Sequence, residues 1–226
     1  MNNLSFKFLE KYYPVFIEGI KWTLLVSFLT VCLGVLIGSI LCWMKKSKIS
    51  IFKVPVFKMI AVAYIELIRG TPLLLQIFIV YFGLNSFGIK LDALVSCIIA
   101  LSINSSAYVA EIIRGGIDSV DKGQMEAARS LGMNEMMAMK NIIVPQAIKT
   151  ILPAIGNEFV AVIKESSMAS TIGVAEIMYG AKLVTGATYR SFEPLIVAAV
   201  CYFILTFSLG RLMAYLERRL RASDSR

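Results

Sequence analysis

Asn157, Glu158, Lys164 and Glu165 stand together in one otherwise apolar stretch of the chain. At 100° per residue they fall within an arc of about 120°, with the small Ala154 and Ala161 between them, so a helix would present them on one face. Asn104, Tyr108 and Glu111 recur at i, i+4 and i+7 in a second apolar stretch and form another polar stripe. Arg69, Gly70, Thr71 and Pro72 interrupt a third, and Gln76 follows seven residues after Arg69 on nearly the same face. A charge within a membrane span costs at least about 2.5–3.5 kcal/mol, so each needs a partner, a cavity or a place near the interface. The chemistry on offer is charge recognition: a guanidinium holds a carboxylate by paired charge-assisted hydrogen bonds, and a carboxylate accepts from an ammonium group. Two readings stand: these groups bind a charged ligand, or Arg69 pairs with Glu66, Glu158 or Glu165 as a fixed structural ion pair. Glu111 falls near the polar end of its stretch and is set apart from the site.

Other chemistries are excluded or unsupported. The chain has no histidine, which removes imidazole acid–base catalysis, histidine metal sites and histidine pH switching. Cys32, Cys42, Cys97 and Cys201 lie in apolar runs at spacings that suit neither zinc nor a redox pair, and read as small core fillers. No nucleophile-plus-base pair and no metal-ligand cluster stands out, so no catalytic residue, metal or cofactor is expected.

The elements that hold these residues must be membrane helices. The chain of 226 residues is 58% hydrophobic and 17% charged, against about 45–50% and about 25% for soluble domains. A span needs about 20 mostly apolar residues. Five stretches qualify, at about residues 22–44, 60–84 around Pro72, 91–113, 151–173 and 192–216. The first runs past the length of a signal-peptide core and ends in lysines, so it reads as a true span. The expected fold is therefore an all-α membrane protein of five transmembrane helices, with residues 1–226 as a single transmembrane domain.

Positive charge selects the orientation. Lys45, Lys46, Lys48, Lys53 and Lys58 follow the first span. Arg114, Lys122, Arg129, Lys140 and Lys149 follow the third, and Arg211, Arg218, Arg219, Arg221 and Arg226 end the chain. Only Lys7, Lys11, Lys21, Lys90, Lys182 and Arg190 fall on the other side. This predicts an N-terminus outside, a C-terminus in the cytoplasm and a cytoplasmic loop at about residues 118–149. The net charge of +8 is thus assigned to the membrane surface rather than to nucleic acid.

Within that loop Asp121 and Gln124 have capping-box spacing and predict a short helix after Asp121. Gly132 should stop it by taking a left-handed conformation. Asn134 should cap a second helix that ends or kinks at Pro145. Ala127 and Ala128 leave room for close backbone approach. Met125, Met133, Met136, Met137 and Met139 crowd into the same segment and suit an interface that slides or repacks. By these features alone the helix pair either docks on another protein or lies against the membrane or its own bundle.

Glu126, Ala127, Ala128, then Gly132, then Ile142 and Pro145 resemble the EAA motif of ATP-binding-cassette importer permeases, with Val144 where that family usually has leucine. The segments 66–72 and 104–111 are similar to the polar amino acid branch of those permeases. So are Pro145-Gln146-Ala147, Leu152-Pro153 and Asn157-Glu158. The resemblance covers nearly the whole chain. It implies a permease subunit in the plasma membrane, paired with itself or a sister subunit. A cytoplasmic ATP-binding subunit would dock on Glu126, Ala127, Ala128 and Gly132, and an extracellular binding protein would deliver a polar amino acid. The absence of a G-x-x-x-x-G-K-[ST] phosphate loop agrees that the chain itself is not the ATPase. With an amino acid as substrate, Arg69 and Thr71 are expected to hold its carboxylate. Glu158 or Glu165 would accept its ammonium or a cationic side chain, with Gln76, Asn104 and Tyr108 lining the site. A stand-alone ion-coupled carrier, using Glu158 or Glu165 as a proton or sodium relay, is the competing function.

Overall fold

In the computed structural model, which describes residues 4–47 and 55–222, the first apolar run forms one long helix, α1 (Leu9–Lys46). It begins well before residue 22, where the first span was expected to start. The reason is packing: Phe8 and Phe16 on this early part join Ile177, Ala181, Val184 and Ala198 in a buried cluster, which rewards helix continuation. Lys48, Lys53 and Arg226 lie outside the described residues.

The second apolar stretch is not one straight span. α2 (Val56–Arg69) and the helical segment Leu73–Ser86, which opens with α3 (Leu73–Phe78), meet at 105° across Gly70, Thr71 and Pro72. Pro72 has no N–H to give to a continuing helix and restricts the residue before it, so the helix stops at Arg69. After α3 a π turn (Ile79–Gly83) leads into the short α4 (Leu84–Ser86).

α5 (Ala93–Asp118) is capped by Asp92, whose carboxylate accepts from the Val95 N–H at 2.7 Å. It is the central helix and packs along α1 at close range. A Cβ on Gly38 would lie 2.9 Å from the Ser106 carbonyl oxygen, so only glycine permits this approach. Ser102 and Ser106 are both buried, consistent with small residues used for close helix packing. Tyr64 of α2 reaches across to the Ile103 carbonyl at 3.0 Å and to Ser106 Oγ at 2.9 Å.

Beyond α5 come α6 (Lys122–Ser130), α7 (Glu135–Ala138), a π turn (Met139–Ile143) and α8 (Val144–Glu165). The helix does not stop at Pro145, although its regular α pattern is interrupted just ahead of it. The π turn ahead of it, in which the Val144 N–H bonds the Met139 carbonyl five residues back, accommodates the ring, and Pro145 enters α8 in its first turn. A 3₁₀ turn (Ser166–Ile172), α9 (Ile177–Thr188) and α10 (Phe192–Ala222) complete the chain. The fourth apolar stretch, expected as a span over 151–173, is thus α8 followed by the 3₁₀ turn. α9 is capped by Glu176, a fully buried residue whose carboxylate accepts from the Met178 and Tyr179 N–H groups and from the Tyr202 hydroxyl.

All regular structure among the described residues is helical. α1, α5 and α10 are each long and apolar enough to cross a membrane, and the bent α2/α3 pair counts as a further span if taken as one. α8 does not meet the same measure, because Gln146, Lys149, Asn157 and Glu158 dilute its hydropathy. Of the cysteines, Cys42 and Cys97 are buried as expected of core fillers, Cys201 is half-buried, and Cys32 is exposed on the outer side of α1.

Candidate functional site

The elbow between α2 and α3 is fastened by side chains. Gln76 Nε2 donates to the Ile68 carbonyl at 2.8 Å, the Thr71 carbonyl at 3.2 Å and Thr71 Oγ1 at 2.8 Å. Thr71 Oγ1 in turn donates to the Leu67 carbonyl at 3.0 Å, so the carbonyls released at the end of α2 find partners. Asn104 Nδ2 of α5 donates to Gln76 Oε1 at 2.9 Å. Gln76 and Asn104 are only 7% and 5% exposed, so both amides are held inside the bundle. Gln76, Thr71 and Asn104 were expected to line a ligand site. Their bonding shows a further duty, which is to hold the elbow against α5.

Arg69, at the exposed rim of the elbow, extends its guanidinium over the Tyr108 ring, 5.4 Å from the centroid. This stacking is worth about 0.5–1 kcal/mol at an exposed site and leaves the N–H donors available. No ion pair of Arg69 with Glu66, Glu158 or Glu165 occurs among the described residues. The fixed structural ion pair is therefore not formed.

Glu158 of α8 accepts a hydrogen bond from Ser105 Oγ of α5 at 2.8 Å. Ser105 neighbours Asn104, so one turn of α5 touches both the elbow and the carboxylate. Sequence reasoning did not single out Ser105; its position inside the 104–111 segment was the available signal. Glu158 and Glu165 are half-buried, whereas Asn157 and Lys164 are exposed on this chain. The polar arc of α8 thus lies at the edge of the bundle and not wholly inside it, because Ala147, Pro153, Val162 and Ile163 occupy the interior face.

Glu111 belongs to a different structure. Its Oε1 pairs with Lys45 at 2.6 Å and its Oε2 with Arg114 at 2.9 Å. Arg114 continues to Asp118 at 2.9 Å, and Asp118 to Lys46 at 2.7 Å. This ladder ties the end of α1 to the end of α5.

The helix pair beyond the ladder forms as its residues dictate. Asp121 accepts from the Gly123 N–H at 2.8 Å at the start of α6, and Asn134 accepts from the Met137 N–H at 2.8 Å at the start of α7. Between them Gly132 has φ of 85°, a conformation that side chains with a Cβ rarely adopt. Gln124 does not complete a capping box; its Oε1 accepts from Gln146 Nε2 of α8 at 3.3 Å. Ala128 is buried against the chain, while Glu126 and Ala127 are exposed. Leu131 is 83% and Met136 80% exposed, and with Met137 they make an apolar tip around Gly132.

A bundle of helices, three of them long and apolar enough to cross a bilayer and one further pair sharply bent, is the architecture of a helical membrane protein. Residues 31–222 match the family described as "Binding-protein-dependent transport system inner membrane component", and the chain belongs to that family. It is 41% identical over 223 residues to the "Arginine transport system permease protein ArtQ" of Bacillus subtilis (strain 168), covering 98% of this chain and 100% of that one. It is 39% identical to the "Putative glutamine transport system permease protein GlnP" of Rickettsia typhi (strain ATCC VR-144 / Wilmington), over 95% of this chain and 98% of that one. Among solved structures, "Crystal structure of an amino acid ABC transporter with histidines" superposes with a TM-score of 0.91 at 49% identity, over 96% of this chain and 100% of that one. A methionine ABC transporter, MetNI, shares the fold with a TM-score of 0.77 at 16% identity, over 96% and 99%.

Proposed function

We propose that this chain is the transmembrane subunit of an ATP-driven importer for a polar amino acid, with residues 1–226 forming a single transmembrane permease domain. Its five spans are α1, the bent α2/α3 pair, α5, α8 with its 3₁₀ extension, and α10. The N-terminus is outside and the C-terminus cytoplasmic, which puts the α6–α7 loop in the cytoplasm, between the third and fourth spans. The loop docks in a cytoplasmic ATPase subunit through Glu126, Ala127, Gly132 and the apolar tip, while Ala128 packs the loop on its own chain. ATP hydrolysis belongs to that partner, and the permease itself holds no cofactor.

The observation that carries this reading is an arginine and a glutamate, Arg69 and Glu158, each anchored to α5 and neither engaged in an ion pair among the described residues. A free amino acid offers the complementary carboxylate and ammonium. Arg69 and Thr71 take the carboxylate; Glu158 and Glu165 take the ammonium or a cationic side chain; Gln76, Asn104 and Tyr108 shape the wall. The relatives named for arginine and glutamine transport support this substrate class. The exposed edge of the α8 arc is closed by a second permease subunit, and an extracellular binding protein supplies the amino acid.

The test is ATPase stimulation of the complete purified transporter, with its binding protein, across a panel of amino acids. Stimulation by one polar amino acid and not by apolar ones is the expected result. Equal rates with every amino acid and with none would overturn the reading.

A further inference from the structure

Helices α8 and α10 pack against each other. A Cβ added to Gly156 would lie 2.0 Å from Met213 Sδ, so the Met213 side chain sits directly on Gly156. A groove of about 470 Å³ runs from this contact down α8 past Ile155 and Pro153 to Leu152, and along α10 past Leu216 to Arg219 and Leu220. Its walls are apolar; Arg219 lines it by its aliphatic stem, and the guanidinium beyond that stem rests over the Tyr215 ring at 5.3 Å. Arg218 and Glu217 share that turn.

We propose that this groove binds an anionic phospholipid, with an acyl tail between α8 and α10 and the phosphate on Arg219. Apolar walls ending in a guanidinium match a molecule that is apolar along its length and anionic at one end. Assigning the lipid to the cytoplasmic leaflet rests on the orientation proposed above; binding itself does not. This site is separate from the elbow and from the α6–α7 loop.

Native mass spectrometry of the complete transporter, with phosphatidylglycerol or phosphatidylcholine of identical tails, tests the proposal without requiring transport. The wild type should retain phosphatidylglycerol in preference to phosphatidylcholine. Arg219→Gln should weaken phosphatidylglycerol about fivefold and leave phosphatidylcholine unchanged. Leu152→Trp, which fills the groove from an exposed position, should weaken both. Arg211→Gln, about two turns up α10, should keep the preference. The intact mass in the same spectra reports assembly of each variant. Equal retention of the two lipids by the wild type would overturn the proposal. So would an undiminished preference in Arg219→Gln, or a disulfide between two permease copies that forms in assembled Leu216→Cys transporter and not in the wild type.

Discussion

Asn104 Nδ2 donates to Gln76 Oε1 over 2.9 Å, and through that bond the central helix holds the elbow of the broken span. The same Gln76 gives its amide nitrogen to the carbonyls of Ile68 and Thr71, so one buried side chain supports both arms of a 105° bend. The elbow, in turn, fixes where Arg69 extends toward Tyr108.

Gln76→Leu should therefore lower the thermal stability of the assembled transporter, since it strands Asn104 and the elbow carbonyls in an apolar interior at about 1–3 kcal/mol per buried group. Combining it with Asn104→Leu should cost less than the sum of the two single changes. Melting temperatures of the single and double variants check this. Strict additivity would show that the amides do not act together.

Arg69→Lys should raise the KM for amino acid uptake while leaving assembly intact. A lysine keeps the charge but loses the planar fork and its stacking on Tyr108. Glu158→Gln should do the same by removing the carboxylate that Ser105 orients. Uptake kinetics decide, and unchanged KM in both variants would remove these residues from the site.

Gly132→Val should abolish ATP-coupled uptake yet insert normally in the membrane. A β-branched residue at φ of 85° costs about 1–3 kcal/mol of backbone strain in the turn that presents Leu131 and Met136. Co-purification of the ATPase with the permease reports docking directly. Retained docking with full transport would contradict the role given to this loop.

Glu111→Gln should destabilise the junction of α1 and α5 by an amount between the ~1 kcal/mol of an exposed pair and the ~3 kcal/mol of a buried one, because its side chain is 19% exposed. Asp118→Asn, at 48% exposure, should cost less. Thermal melts of the two variants give the order, and the reverse order would place the strength of the ladder at its Asp118 end.

Much of this architecture is legible in the sequence where a local rule acts alone. Asp121, Gly132 and Asn134 each write their own piece of the α6–α7 loop, and each does in the structure what its type demands. Pro72 likewise announces a break, but the bond between Gln76 and Asn104 that braces the 105° bend joins residues that meet only in three dimensions. Pro145 reads as a helix end and is not one, because a π turn upstream accommodates it.

The candidate site was legible in its residue types and less so in their surroundings. The helical arc on α8 is real as a face, yet its periodicity cannot say which edge of that face meets α5. Glu158 does, while Asn157 and Lys164 face away. The Lys45–Glu111–Arg114–Asp118–Lys46 ladder joins helices far apart in sequence, and no spacing rule connects them.

Uptake of a labelled polar amino acid into proteoliposomes, compared between the complete transporter with its binding protein and this chain alone, separates an ATP-driven importer from a stand-alone carrier. Uptake is expected only from the complete transporter and only with ATP on the side of the α6–α7 loop; the opposite result is uptake without either. Uptake by the chain alone, driven by a proton or sodium gradient, would contradict the importer reading.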